Sequence, residues 1–319
     1  MIKNTSMKSV FITRKLPEIA VAILKSKFEV SMFDKNELFP QEQLGDLVNN
    51  YDVILSTPAD KFTKSVLEKA EKVRVISNYA VGLDNIDVEY AKGKGISVYN
   101  TPDVVTASTA DHTVSILLSL IRNVNEAYQS IKQNQWKAWD PYIFLGDELT
   151  GKTFGIIGFG RIGQAVAKRM IGFGLKIVYY NRSDNDLDKF IAPFVKKVSM
   201  DELLRSSDYI SLHVPLTDQT KDLINESMFL KMEKKPILIN TARGGVVNTK
   251  DLIEALTKKH IRGAALDVTD PEPIDKNHPL LEFDNCIITP HIGTATTVCR
   301  SNMAKLAAEN IVNHYFNGR

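Results

Sequence analysis

Short apolar runs of three to five residues alternate with stretches of helical periodicity from one end of the chain to the other. A strand covered by helices on both faces reads as such a run, because neither face meets water. Runs at 9–13, 28–32, 53–56, 75–77 and 97–99 predict five strands, with a helix over 64–72. A second series predicts strands at 153–157, 176–180, 209–212, 237–240, 263–267 and 286–289, a helix over 164–173 and a closing helix over 295–316. Between the two series, residues 103–134 predict one long helix or two abutting ones. The segment 114–121 is apolar nearly all round, which predicts burial between domains or subunits. Strands and helices alternating in this way predict an α/β protein with parallel sheets.

A chain of 319 residues makes roughly two domains of about 150 residues each. Residues 146–151 offer a boundary, and the helices on either side of the second series suggest two crossings between domains. The 40 basic and 38 acidic side chains leave a net charge of +2, which argues against a nucleic-acid groove or a membrane surface as partner. Cys286 and Cys299 are too few and too far apart for a disulfide framework or a metal knuckle, and fit a reducing cytoplasm. No apolar stretch of signal-peptide length opens the chain, and none approaches the ~20 apolar residues of a membrane span. Residues 1–6, polar from Lys3 onward, precede Met7, a natural start into the first strand; they are expected to be dispensable.

One motif changes this picture. GFGRIG follows an apolar strand and opens a helical pattern. There Gly158 permits a tight turn, Gly160 lets a pyrophosphate approach the backbone, and Gly163 lets helix and strand pack closely. A helix N-terminus then offers free N–H groups to the phosphates. Nineteen residues beyond Gly163, where an NAD enzyme carries an acid for the ribose 2′-hydroxyl, stand Asn181, Arg182 and Ser183. A guanidinium beside a hydroxyl attracts a 2′-phosphate, so NADP(H) is the expected cofactor. The competing reading makes Arg182 a solvated loop arginine and the cofactor NAD(H); Asp184 and Asp186 keep it open.

Three later segments bring polar groups to the carboxyl ends of predicted strands, where open α/β sheets hold ligands. NTARGGVVN carries Arg243, LDVTDPEP carries Asp267 and Glu272, and TPHIGTAT carries His291. An arginine fork grips a carboxylate and a carbonyl oxygen, an imidazole donates a proton, and a nearby carboxylate steadies the charged ring. The plainer readings are a helix-capping arginine, an exposed turn glutamate and a core histidine.

These segments, together with NYAVGLDNID (78–87), TASTADHTVSILL (106–118) and HVPLT (213–217), closely resemble the D-isomer-specific 2-hydroxyacid dehydrogenase family over almost the whole chain. NYAVG, Trp139 and Asn-Arg-Ser look most like its glyoxylate/hydroxypyruvate reductases. The resemblance implies two Rossmann-like doubly wound domains: a flavodoxin-like substrate domain, 1–100 with 290–319, and a dinucleotide-binding domain, 101–289. It implies a homodimer clasped through 103–134, acting on a small 2-keto or 2-hydroxy acid. Arg243 would bind substrate carboxylate and keto oxygen, His291 would be the general acid, and Glu272 its partner. The amides of Val81 and Gly82 would cradle the substrate carboxylate, and Asp267 would lie beside the nicotinamide. Thr109, Arg161, Ile162, His213, Val214, Pro215, Thr241, Ala242 and Gly293 would complete the cofactor site. Phosphoglycerate and D-lactate dehydrogenases are enzymatic alternatives, and corepressor-like binding proteins keep the same three residues. Formate dehydrogenases carry glutamine where Glu272 stands.

Overall fold

Every side chain of Val53–Ser56 and of Val75–Asn78 is buried, as strands covered on both faces require. They are β3 and β4 of a five-stranded sheet completed by β1 (Ser9–Ile12), β2 (Glu29–Met32) and β5 (Ser97–Tyr99). All pairings are parallel, in the order β2-β1-β3-β4-β5, the flavodoxin-like arrangement. One apolar core of this sheet gathers Leu44, Ile54, Phe62, Leu67 and Ile76.

The second sheet contains β6 (Thr153–Ile157), β7 (Lys176–Tyr180), β8 (Val195–Lys197), β9 (Tyr209–Leu212), β10 (Ile237–Asn240), β11 (Gly263–Leu266) and β12 (Cys286–Ile288). Its order, β12-β11-β10-β9-β6-β7-β8, is again all parallel and reverses direction between β6 and β9. Two large clusters line this sheet, one around Phe154, Phe159 and Met170 and the other around Leu204, Phe229 and Leu238.

The computed structural model describes residues 7–184 and 186–318, so the expectation for residues 1–6 lies outside the described residues. By contact the chain forms two units, one ending at Val105 and resuming at Ala295, the other spanning Thr106–Thr294. The crossings therefore fall a few residues beyond those expected. Val104 stays with the first unit because its carbonyl accepts from Cys299 Sγ at 3.5 Å. Residues 291–293 stay with the second because their amides all bond to Asp267. The boundary expected at 146–151 lies inside the second unit, where Leu149 is buried in the core.

Two other expectations change. The strand β8 had no signal, since Val-Lys-Lys shows no periodicity and its lysines are exposed at a sheet edge. Of 64–72, only Lys64–Leu67 is helical. Residues 103–134 form two helices, Thr106–Ile121 and Val124–Lys132. The break is Asn123, in the left-handed region at φ 50°, its Nδ2 donating to the Leu145 carbonyl at 2.9 Å. The first of these helices packs along Arg161–Ile171, with Val114, Ile116, Leu117 and Ile121 buried. Among the described residues no helix is long and apolar enough to cross a membrane.

Candidate active site

At the carboxyl end of β6 the three glycines have different duties. Gly158 has φ 92°, and a Cβ there would lie 2.6 Å from the His213 backbone. A Cβ on Gly163 would lie 2.4 Å from the Gly158 carbonyl oxygen, so helix and turn could not close together. On Gly160 a Cβ would meet nothing within 4 Å. Gly160 also caps the helix Arg161–Ile171 without a side-chain hydrogen bond. The loop thus leaves an open face over the first N–H groups of a helix, which suits a pyrophosphate. Phe159 anchors it from below, buried and stacked on Tyr179 with ring centroids 3.9 Å apart. The residues present fit a dinucleotide.

The end of β7 lies beside this loop. Asn181 Oδ1 accepts from the Phe159 amide at 3.2 Å and its Nδ2 donates to the Ser183 carbonyl at 2.8 Å, so the side chain ties the two loops together. Arg182 is exposed, with Nη1 donating to Gln219 Oε1. Asp184 pairs with Lys197 of β8, whose ammonium holds its carboxyl below the usual range. The loop after β9 carries His213, Val214 and Pro215. His213 Nε2 lies 2.8 Å from Ser211 Oγ, and burial pushes the ring down to about 3, which keeps it neutral.

Arg243 lies just beyond β10. Asn240 shapes this turn: its Oδ1 accepts from the Ala242 amide and its Nδ2 donates to the Arg243 carbonyl. Arg243 Nη1 donates to the Ala242 carbonyl at 2.8 Å. Gly244 lies so close to the Thr269–Asp270 backbone that a Cβ would be 2.0 Å from the Thr269 carbonyl oxygen. Thr249 Oγ1 then holds the Asp270 carbonyl at 2.8 Å. The Arg243 turn and the Glu272 loop are therefore built against each other. Glu272 Oε1 accepts from His291 Nδ1 at 2.6 Å, with both side chains partly open to solvent. That bond leaves His291 Nε2 as the nitrogen for another partner.

Asp267, expected beside the nicotinamide, is held firmly by the protein itself. Its side chain is 2% exposed and is surrounded by donors from the protein. Oδ1 accepts from Thr289 Oγ1 at 2.6 Å and the Ile292 amide at 2.8 Å, and Oδ2 from the Gly293 amide at 2.7 Å. Burial pushes the carboxyl up, but bonds from His112, Thr289 and Ile292 more than offset this and hold it below the usual range. His112 Nε2 lies 3.1 Å from Asp267 Oδ1 and 3.0 Å from Thr289 Oγ1. With the threonine proton on Asp267, Nε2 must be the donor. Ser108 and Thr113 join it: Ser108 Oγ donates to the Gly293 carbonyl at 2.8 Å, and Thr113 Oγ1 meets Thr241 Oγ1 at 2.9 Å and the buried Thr109's carbonyl at 2.8 Å. Ser108, His112 and Thr113 were given no role from the sequence, although Thr109 and Thr241 were placed in the cofactor site. Their signal was polar side chains four apart, at 108 and 112 and at 109 and 113, on an otherwise apolar helix.

In the first unit, Val81 and Gly82 follow β4. Their carbonyls accept from Asn100 Nδ2 at 2.8 Å and Asn78 Nδ2 at 3.0 Å. Among the described residues no acceptor takes either amide. Among the described residues, too, no group of three or more His, Cys, Asp and Glu side chains could hold a metal ion.

Residues 114–293 match the family described as D-isomer specific 2-hydroxyacid dehydrogenase, NAD binding domain. The glyoxylate reductase of Pyrococcus furiosus is 44% identical over 308 residues, covering 95% of this chain and 91% of that protein. Among solved structures, a protein of Thermus thermophilus superimposes with a TM-score of 0.88 at 41% identity, covering 95% of this chain and 96% of that one. The NADPH-dependent glyoxylate/hydroxypyruvate reductase of Sinorhizobium meliloti, solved with NADP and malonate, gives 0.86 at 28% identity, covering 98% and 95%. On a family match over more than half its length and relatives aligned over nearly all of it, the chain belongs to the D-isomer specific 2-hydroxyacid dehydrogenases and is an NAD(P)-dependent dehydrogenase.

Proposed function

We propose that this enzyme reduces a small 2-keto acid, glyoxylate or hydroxypyruvate, to the D-2-hydroxy acid, and that it prefers NADPH to NADH. The observation that carries the reading is the 2.6 Å hydrogen bond between Glu272 and His291 on a loop built against the Arg243 turn. When bound, a reduced nicotinamide supplies the hydride to the carbonyl carbon. Arg243 binds the substrate carboxylate and polarises the keto oxygen with its planar fork. His291 Nε2 delivers the proton to that oxygen, while Glu272 fixes the ring through Nδ1 and balances the charge. For Val81 and Gly82, the free amides support the carboxylate-binding role implied by the resemblance.

The cofactor preference is supported by what the end of β7 lacks. Asp184, the first acid after Asn181, is held by Lys197, and Arg182 with Ser183 remains exposed for a 2′-phosphate. Asn181 braces the two loops on either side of the ribose position. The engagement of Arg182 with Gln219 favours a second reading, use of NADH with a structural arginine. A homodimer fits the exposed apolar side chains Tyr128, Ile131, Trp136, Trp139 and Tyr142. A cytoplasmic location fits two unreactive thiols, Cys299 buried and Cys286 pushed up to about 12 by burial.

Initial rates with glyoxylate, hydroxypyruvate and pyruvate, each with NADPH and NADH, test the reading. Turnover of the first two with NADPH is expected. The variant His291→Ala should lose about 10²–10⁴-fold in kcat, the range for a general acid. Arg243→Ala should damage both kcat and KM. Binding of NADPH without turnover of any 2-keto acid would point instead to a non-metabolic binding protein.

A further inference from the structure

We propose that His112 is a positioning residue for His291, acting through the buried carboxylate of Asp267; the inference rests on the reading of His291 as the proton donor. His291 is held at φ 53°, a conformation that a side-chain-bearing residue keeps only when its surroundings over-determine it. Most of what determines it is one aspartate, with the Thr289 carbonyl also accepting from the His291 amide at 3.0 Å. The amide of His291 bonds to the Asp267 carbonyl at 2.9 Å, and the next two amides bond to its two carboxylate oxygens at 2.8 and 2.7 Å. Three successive amides thus wrap Asp267, and the imidazole projects from the first of them.

The aspartate must itself be held, and the protein does so from one helix. His112 Nε2 reaches Asp267 Oδ1 and Thr289 Oγ1, at 3.1 and 3.0 Å. One turn earlier on the same face, Ser108 Oγ holds the Gly293 carbonyl at 2.8 Å. The helix Thr106–Ile121 that carries both is seated in the core by Ala110, Ile116 and Leu117. The position of the His291 ring is therefore set in sequence by the helix, His112, the Asp267–Thr289 pair and the wrapped amides. His112 has no role in the proton transfer itself, since its Nε2 is occupied by this pair.

A misplacement of ~1 Å at a reacting group can cost ~10²-fold in rate, so loss of His112 should appear in kcat. In His112→Ala, kcat should fall ~10- to 100-fold, within that range. The keto-acid KM and the NADPH Kd, read by nucleotide fluorescence, should change by less than ~3-fold, because uniform binding is untouched. His112→Gln, whose amide can donate to the same pair, should recover most of the loss. The decisive arm is His112→Ala in a His291→Ala background. With no ring to position, the second substitution should cost nothing further. Should His112→Ala fail to fold, His112→Asn, whose shorter amide stops short of the pair, takes its place in the cycle. Wild-type kcat in the single variant, or an equal loss with and without the His291 ring, would overturn the proposal. Wild-type turnover in His291→Ala alone would overturn the reading beneath it as well.

Discussion

Gly160 and Gly163 stand three residues apart in one loop, yet their missing side chains serve different ends. Gly163 is required by the fold, because a Cβ there would lie 2.4 Å from the Gly158 carbonyl oxygen. Gly160 has φ −78° and ψ −160°, open to any residue, and a Cβ there would meet nothing. The fold does not need that glycine; in the proposed reading, an incoming pyrophosphate does. Stability and binding should therefore separate. Gly163→Ala should lose about 1–3 kcal/mol, the usual penalty of overpacking, seen as a lower Tm in melts without cofactor. Gly160→Ala should melt like the wild type, yet bind NADPH at least ~10-fold more weakly, about 1.4 kcal/mol. Unchanged NADPH affinity in Gly160→Ala would show that the phosphates bind elsewhere.

At the scale of elements, the short edge strand β8 has a consequence for the cofactor. Its Lys197 pairs with Asp184 in the loop that follows β7, which offsets one of the two acids near Arg182. Arg182→Ala should raise KM for NADPH about 10- to 100-fold, the effect of one charge-assisted hydrogen bond, and leave NADH almost unchanged. Lys197→Ala, by releasing Asp184, should weaken NADPH several-fold and spare NADH, whereas Asp184→Asn should cost neither. Equal use of both cofactors by the wild type would reduce Arg182 to a loop residue bonded to Gln219. None of this was readable from Val-Lys-Lys, because three residues with two lysines carry no period. The covered strands were readable, since Ile-Leu-Ile-Asn at β10 or Val-Ile-Leu-Ser at β3 has no polar face to hide. The three segments bearing Arg243, Glu272 and His291 were readable for a related reason: polar groups just past an apolar run lie at strand ends. The support behind them was not. Nothing in the sequence showed that Asn181 ties two loops together or that Asp267 is wrapped by successive amides. Such roles depend on which neighbour a side chain meets across the fold, and spacing along the chain does not report that.

At the scale of the whole molecule, the surface left over by the fold is concentrated between residues 124 and 145. Trp139 is 80% exposed, Tyr142 82% and Leu145 68%, with Tyr128 and Ile131 above half. Soluble monomers rarely leave so many large apolar side chains together in water. A net charge of +2 on 319 residues adds little repulsion between copies. Burying this face against a second copy removes it from solvent, and homodimer interfaces of this apolar kind bury roughly 2,000 Å² or more. The wild type should therefore elute with twice the chain mass in size-exclusion chromatography with light scattering. Its Tm should rise with protein concentration, since association stabilises by mass action. Ile131→Glu combined with Tyr142→Glu places two charges among these apolar side chains, at residues with no assigned role in cofactor binding or proton transfer. That variant should shift to the mass of one chain at micromolar concentration and lose the concentration dependence of Tm, while its NADPH affinity stays within ~3-fold, below half a decade in Kd. A wild type that already elutes as one chain, with a Tm independent of concentration, would show that these side chains remain in water and that the enzyme is complete as a monomer.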